Sequence, residues 1–294
     1  MAGLAADRIQ DTSPPTLHMG KSTNMKNLLI AAAILATIPA AASAQTTNAP
    51  QTTPKTPLQS TVSVYGGFTS PTDGYDDRFY AGANMDQYVG DLGVHVDVSG
   101  VTREQDGLFA SIGLSKTVAS GVRGKLAFGS STDNRNILPQ YFGLAQLRIE
   151  AGRKTVLTPA FAYRHFRTGV DEYLPSLDVA HYFTVAGDKN GYYVAQGRAA
   201  VAILPGRTAP SFGAGVTTVR NSGFSAGIYA EAGRLSYANL IDIGAPGVNS
   251  PFFAIRPSVG ARISARTELF VRGEYSHNDF FDTRGAMVGL KFKI

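Results

Sequence analysis

The chain has 294 residues, with 27 Lys and Arg against 22 Asp and Glu, 32 Gly, and neither Cys nor Trp. Glycine stands well above the usual roughly 7%, and charged residues below the usual about 25%, which argues against both a disordered chain and a helical bundle. The lack of cysteine excludes disulfide scaffolds, Cys-ligated zinc and thiol nucleophiles, and a formal charge of only +5, spread along the chain, makes no case for nucleic acid.

Residues 25–44 read as a secretory signal. Met25 and Lys26 form a short basic start, Leu28 to Ile38 an apolar stretch of 11 residues, and Ala42-Ser43-Ala44 a small-residue site with cleavage after Ala44. That stretch falls short of the about 20 residues a membrane helix needs, and Pro39 suits a processing site better than an N-terminal anchor. Residues 1–24 precede the signal without periodicity and read as an extension from a start codon placed too early, with Met25 or Met19 the working start. Residues 45–60, with five Thr and Pro50, Pro54 and Pro57, have too little apolar content for a core and read as a flexible tether. Cleavage leaves 24 basic against 20 acidic residues, a mature charge of +4.

From Thr61 to Ile294 the pattern has a period of two, and no stretch sustains a helical one. Val122, Leu126 and Phe128 oppose Arg123 and Lys125; Ala145, Leu147 and Ile149 oppose Gln146, Arg148 and Glu150. Phe224, Ala226, Ile228 and Ala230 alternate with Ser225, Gly227, Tyr229 and Glu231. Phe253, Ile255, Pro257, Val259 and Ala261 likewise oppose Ala254, Arg256, Ser258, Gly260 and Arg262. The next run sets Leu269, Val271, Gly273 and Tyr275 against Phe270, Arg272, Glu274 and Ser276. Such runs predict about fourteen strands, near 61–69, 77–85, 89–98, 107–116, 121–130, 140–152, 155–167, 175–186, 191–204, 209–220, 223–235, 252–264, 267–277 and 284–294, with twelve the alternative count. Many have the roughly 9 to 11 residues of a tilted membrane strand. Their connections mostly alternate between long and short, as in an outer-membrane barrel with long surface loops and tight periplasmic turns.

A soluble β-sandwich also alternates apolar and polar residues. Against it stand a polar face rich in Gly, Ala and Ser among long charged side chains, which suits a curved interior, and a last strand that runs to Ile294. The expected fold is all-β, an antiparallel transmembrane barrel over 61–294. An Arg or Lys facing lipid at mid-bilayer costs about 2 to 4 kcal/mol. Arg123, Lys125, Arg148, Glu150, Glu231, Arg256, Arg262, Arg272, Glu274 and Lys291 are therefore expected to line the lumen, together with Arg198, Lys293, Asp97 and His95.

Gly289-Leu290-Lys291-Phe292-Lys293-Ile294 resembles the C-terminal assembly signal of outer-membrane barrels, with Phe292 and Ile294 its key residues and Ile294 standing where an aromatic is usual. The strand order and the closing segment Gly273-Glu274-Tyr275-Ser276-His277-Asn278, followed by Phe280-Phe281 and Arg284-Gly285, resemble the YaiO type of outer-membrane β-barrel protein. The resemblance implies location and fold, recognition by the barrel-assembly machinery, and contact with outer-membrane lipid and lipopolysaccharide; it carries no catalytic residues.

Candidate chemistry is sparse. Gly223-Phe224-Ser225-Ala226-Gly227 matches GxSxG but begins a strand, where a nucleophile elbow needs a turn into a helix. Gly20-Lys21-Ser22 lacks the upstream glycine of a phosphate loop. His95, His165, His181 and His277 fall on separate strands without metal-ligand spacing. No cofactor and no metal site is expected, and Asp73, Asp76 and Asp77 read as a solvated acidic loop. A barrel enzyme would need Ser or Thr, His and a polar orienter brought together from neighbouring strands, which sequence cannot show. Tyr141, Tyr163, Tyr192, Tyr237, Phe252, Tyr275, Phe280 and Phe281 suit aromatic girdles at the membrane interfaces. The leading expectation is a structural or surface-interaction barrel, not an enzyme, with a narrow basic lumen in the outer membrane of a Gram-negative cell. The alternatives are a passive channel for small anionic solutes and, behind it, a lipid- or glycan-modifying enzyme.

Overall fold

The computed structural model describes residues 59–72, 77–102, 106–132, 138–235 and 250–294. The extension, the signal and nearly all of the tether lie outside these residues, as do Asp73, Asp76 and Tyr237.

Fourteen strands follow one another without a helix between them: β1 (Thr61–Pro71), β2 (Arg78–Val89), β3 (Leu92–Thr102), β4 (Asp106–Ala119), β5 (Val122–Ser131), β6 (Tyr141–Ala151), β7 (Thr155–His165), β8 (Asp171–Phe183), β9 (Gly191–Leu204), β10 (Arg207–Arg220), β11 (Phe224–Arg234), β12 (Pro251–Arg262), β13 (Thr267–Asn278) and β14 (Asp282–Lys293). Each pairs antiparallel with its neighbours in sequence, and β1 meets β14 from Thr61 opposite Lys293 to Pro71 opposite Thr283, closing the sheet. The fold is an all-β closed barrel with the larger of the two strand counts. Closure satisfies every ladder hydrogen bond and leaves no edge to pair with another chain.

Both chain ends of the barrel lie on one side, the termini end; the connections after odd-numbered strands lie on the other, the loop end. Two connections depart from simple alternation. Residues 205–206 make a two-residue turn at the loop end, because pairing runs on to Leu204 opposite Arg207 and Gly206 has φ +74°. Residues 184–190 form a longer connection at the termini end, where the Asp188 amide donates to the Val185 carbonyl (3.0 Å) and the Asp188 carboxylate accepts from the Asn190 amide (3.0 Å).

The outer face is apolar and open. Phe128 is 68% exposed, Ile112 58% and Ile228 52%. Among the described strands, the charged residues of this face are Asp106, Lys116, Asp171, Arg220, Arg234, Asp282 and Arg284, each within three residues of a strand end. A belt without charge therefore runs around the middle of the barrel. Among the described residues, two fully buried apolar clusters line the inside, both on β7–β10 and the turn after β7. At the loop end Phe166, wholly buried, packs with Ala202, Leu204 and Ala209; at the termini end Val156 packs with Tyr182 and Val194.

Candidate functional site

The register assigns the inner face. Thr61, Asp86, His95, Gly113 and Ala127 stand opposite one another on successive strands, and the row they belong to carries the buried polar residues Ser63, Ser115 and Lys291. Arg123, Lys125, Arg148, Glu150, Glu231, Arg256, Arg262, Arg272, Glu274 and Lys291 fall on this row. Only some of them meet. Arg256 on β12 donates to Glu231 of β11 (2.8 Å) and to Glu274 of β13 (3.3 Å), a three-strand bridge. Glu268 stands in register opposite both Arg262 and Lys291. Arg123 and Arg148 stand opposite each other as like charges, and Arg272 lies over the Phe270 ring at 5.6 Å.

Further members of the row are Arg78, Asp86, Arg164, Glu172 and Asp178. Arg164 donates to the wholly buried Glu172 (2.8 Å), and Arg198 donates to Asp178 (3.3 Å). Their signal was present in sequence: Arg78, Tyr80, Asn84 and Asp86 alternate with Phe79, Ala81, Ala83 and Met85. At the loop end a cavity of about 540 Å³ has a wall that includes Arg78, Arg164, Arg256, Glu274 and the edge-on pair Phe109 and Phe142.

Near the termini end a linked set crosses β2 to β5. His95 sits between Asp86, whose carboxylate meets Nδ1, and Ser115, whose Oγ is 2.8 Å from Nε2. The sequence paired His95 with Asp97 by phase, but its bonding partner is the residue directly across on β2. Arg123 Nε donates to the same Ser115 Oγ (3.1 Å), its terminal nitrogen donates to the Asp91 carbonyl (2.9 Å), and its guanidinium lies over the Tyr88 ring at 4.7 Å. A Cβ at Gly93 would stand 2.5 Å from Ser115 Oγ and 2.6 Å from the Tyr88 ring, so a larger residue there would displace one of them. Ser225, in the GxSxG string, also faces inward but stands opposite Val219 and Gly260, with no helix after it.

The rims carry aromatic and polar clusters on the outer face. At the loop end the same arrangement occurs twice: Asp171 accepts from Tyr163 (2.7 Å) and meets His165 (2.8 Å), and Asp282 accepts from Tyr275 (3.2 Å) and meets His277 (2.6 Å). Three of the residues expected in the girdles lie elsewhere. Tyr192 and Phe252 fall on the inner row, Tyr192 tilted against Tyr182 with ring centroids 6.2 Å apart and Phe252 on the cavity wall, because their even positions share the phase of Arg198 and Arg256. Phe281 also lines that cavity. At the termini end, Arg220 donates to Asp188 and to the Tyr193 hydroxyl (3.1 Å). Arg220, then the Asn190 amide and the Tyr193 hydroxyl, hold the Asp188 carboxyl below the usual carboxylate range. Phe292 lies outward opposite Val62, and the Ile294 amide donates to the Ser60 carbonyl (3.0 Å). Among the described residues no group of three or more His, Asp or Glu could hold a metal ion.

No family profile matches the sequence, and no curated protein does. Among solved structures the chain is similar to a bacterial polysaccharide outer-membrane secretin, with a TM-score of 0.55 at 6% identity over 80% of this chain and 98% of that one. Weaker likenesses include the outer-membrane protein Omp33 of Acinetobacter baumannii, at TM-score 0.49 and 9% identity over 81% and 99% of the two chains. The KdgM porin scores 0.44 at 8% identity over 79% and 99%. The secretin likeness establishes the fold: an outer-membrane type of β-barrel.

Proposed function

We propose that this chain is an outer-membrane channel of the YaiO type, exported by a signal cleaved after Ala44, that lets small anionic solutes pass. The observation that carries this reading is that water reaches charged pairs inside the closed sheet. The Asp178 side chain is 41% exposed, Arg198 34% and Arg256 38%. A plugged bore would strip water from these ions at several kcal/mol each. Lys and Arg outnumber Asp and Glu on the inner row, and a basic wet bore favours anions. The uncharged outer belt is the surface lipid would cover, with the Tyr, His and Asp clusters at the level of lipopolysaccharide headgroups. Phe292 and Ile294 would serve the barrel-assembly machinery.

A second reading, a structural or surface-interaction barrel with a narrow basic lumen, draws on the Phe166 cluster, which packs apolar side chains on the inner face at the loop end. Single-channel recording in planar bilayers separates the two. The channel reading expects a stable current with anions preferred, and a fall in the anion-to-cation permeability ratio on replacing Arg256 and Arg198 with Gln, which leaves Glu231, Glu274 and Asp178 uncompensated. A correctly folded barrel that carries no current would leave the second reading.

A further inference from the structure

We propose that Ser115, His95 and Asp86 form a nucleophilic site on the inner wall of the barrel that hydrolyses small carboxylic esters bearing an anionic group. The three residues come from β4, β3 and β2, and they supply the nucleophile–base and base–orienter contacts that acyl transfer uses. The Asp86 carboxylate at Nδ1 fixes the His95 tautomer with its proton on that nitrogen, which leaves Nε2 free to accept from Ser115 Oγ at 2.8 Å. Ser115 Oγ also accepts from Arg123 Nε at 3.1 Å. The hydroxyl proton thus already has an acceptor, and the negative charge that grows during attack has a cation beside it. His95 and Ser115 are 7% and 4% exposed, in surroundings where such interactions are stronger than in water.

The substrate reaches Ser115 from the bore. The Arg123 side chain, resting over Tyr88, covers the hydroxyl on that side. Its displacement would open Oγ while keeping a guanidinium at hand for the oxyanion. Arg123, Lys125 and Arg148 share the inner row around the site, which selects esters carrying a carboxylate or phosphate over neutral ones. In the reaction Ser115 Oγ attacks the acyl carbon and its proton passes to His95 Nε2. The bond to the leaving alcohol then breaks, and His95 returns that proton to the alcohol oxygen. Water next attacks the acyl-serine, His95 takes a proton from it, and the acid leaves as Ser115 regains its own. One ester and one water give one acid and one alcohol.

The test is labelling of the folded barrel in detergent with a fluorophosphonate, read by intact mass and peptide mapping, alongside hydrolysis of p-nitrophenyl hemisuccinate. The expected result is one adduct, on Ser115, that Ser115→Ala abolishes and Ser225→Ala leaves intact. Asp86→Asn keeps the shape but favours the wrong tautomer, and is expected to lower turnover about ten-thousandfold. Folding is judged by heat-modifiable mobility in gels. Should Ser115→Ala fail to fold, the mapped position of the wild-type adduct decides. An unlabelled wild-type barrel, an adduct elsewhere, or hydrolysis that survives Ser115→Ala overturns the proposal.

Discussion

The two faces of the same fourteen strands treat charge in opposite ways. On the outer face Asp, Lys and Arg occur only near strand ends, and the middle holds exposed residues such as Phe128, Ile112 and Ile228. On the inner face Arg123, Lys125, Asp178, Arg198 and Arg256 run through the strands, bonded across them or open to water. The backbone is identical on both sides, so propensity cannot explain the contrast. What differs is the medium each face meets: hydrocarbon can neither solvate an ion nor be displaced by one, whereas a wet bore can hold both pairs and surplus charge.

The inner face also carries apolar packing at the loop end, and removing it has the largest expected effect. Phe166→Ala empties the apolar cluster on Ala202, Leu204 and Ala209 and is expected to cost about 3 to 5 kcal/mol, measured by urea unfolding in lipid vesicles. A loss well below this would mean the cluster packs loosely. Charge on the outer belt comes next. Ile228→Arg, in the middle of β11, should cost about 2 to 4 kcal/mol, and Val118→Arg, beside the end of β4, only about 0 to 1. Equal penalties at the two positions would remove the argument that lipid covers the belt. The smallest effect belongs to the rim. Because the Asp188 carboxyl is held below its ordinary range by Arg220, Asn190 and Tyr193, its contribution is complete above the unfolded value near about 4. It disappears as pH falls through the lower folded value. The protection factor of the Asn190 amide, its exchange relative to the intrinsic rate at each pH, should fall on acidification; unchanged protection of residues 184–190 would show that the turn does not depend on the charge.

Much of this contrast was legible along the chain. The alternation around Arg123, Arg148, Arg256 and Arg272 identifies strands and their faces because a two-residue period is the only one that keeps ions out of lipid on a β-strand. Less legible is the face of an aromatic near a strand end: Tyr192 and Phe252 lie at the starts of β9 and β12, as girdle residues would, but turn inward in the phase of Arg198 and Arg256. The partner of His95 was out of reach for another reason. Asp97 shares its strand and phase, but residues two apart on a strand are separated by about 6.6 Å of rise, whereas a residue directly across, here Asp86, is closer at about 4.5 to 5.5 Å. Ser225 drew attention through a string motif, while Ser115, with no motif, sits at hydrogen-bond distance from a histidine.

The sequence by itself determined the strands to within a count of fourteen or twelve, and the side of each that shuns charge, since these depend on local alternation against a uniform surrounding medium. Which inner residues meet was decided only by closure of the barrel. Register is a property of paired strands, and it alone aligned Asp86 with His95 and Ser115, and Glu231 with Arg256 and Glu274.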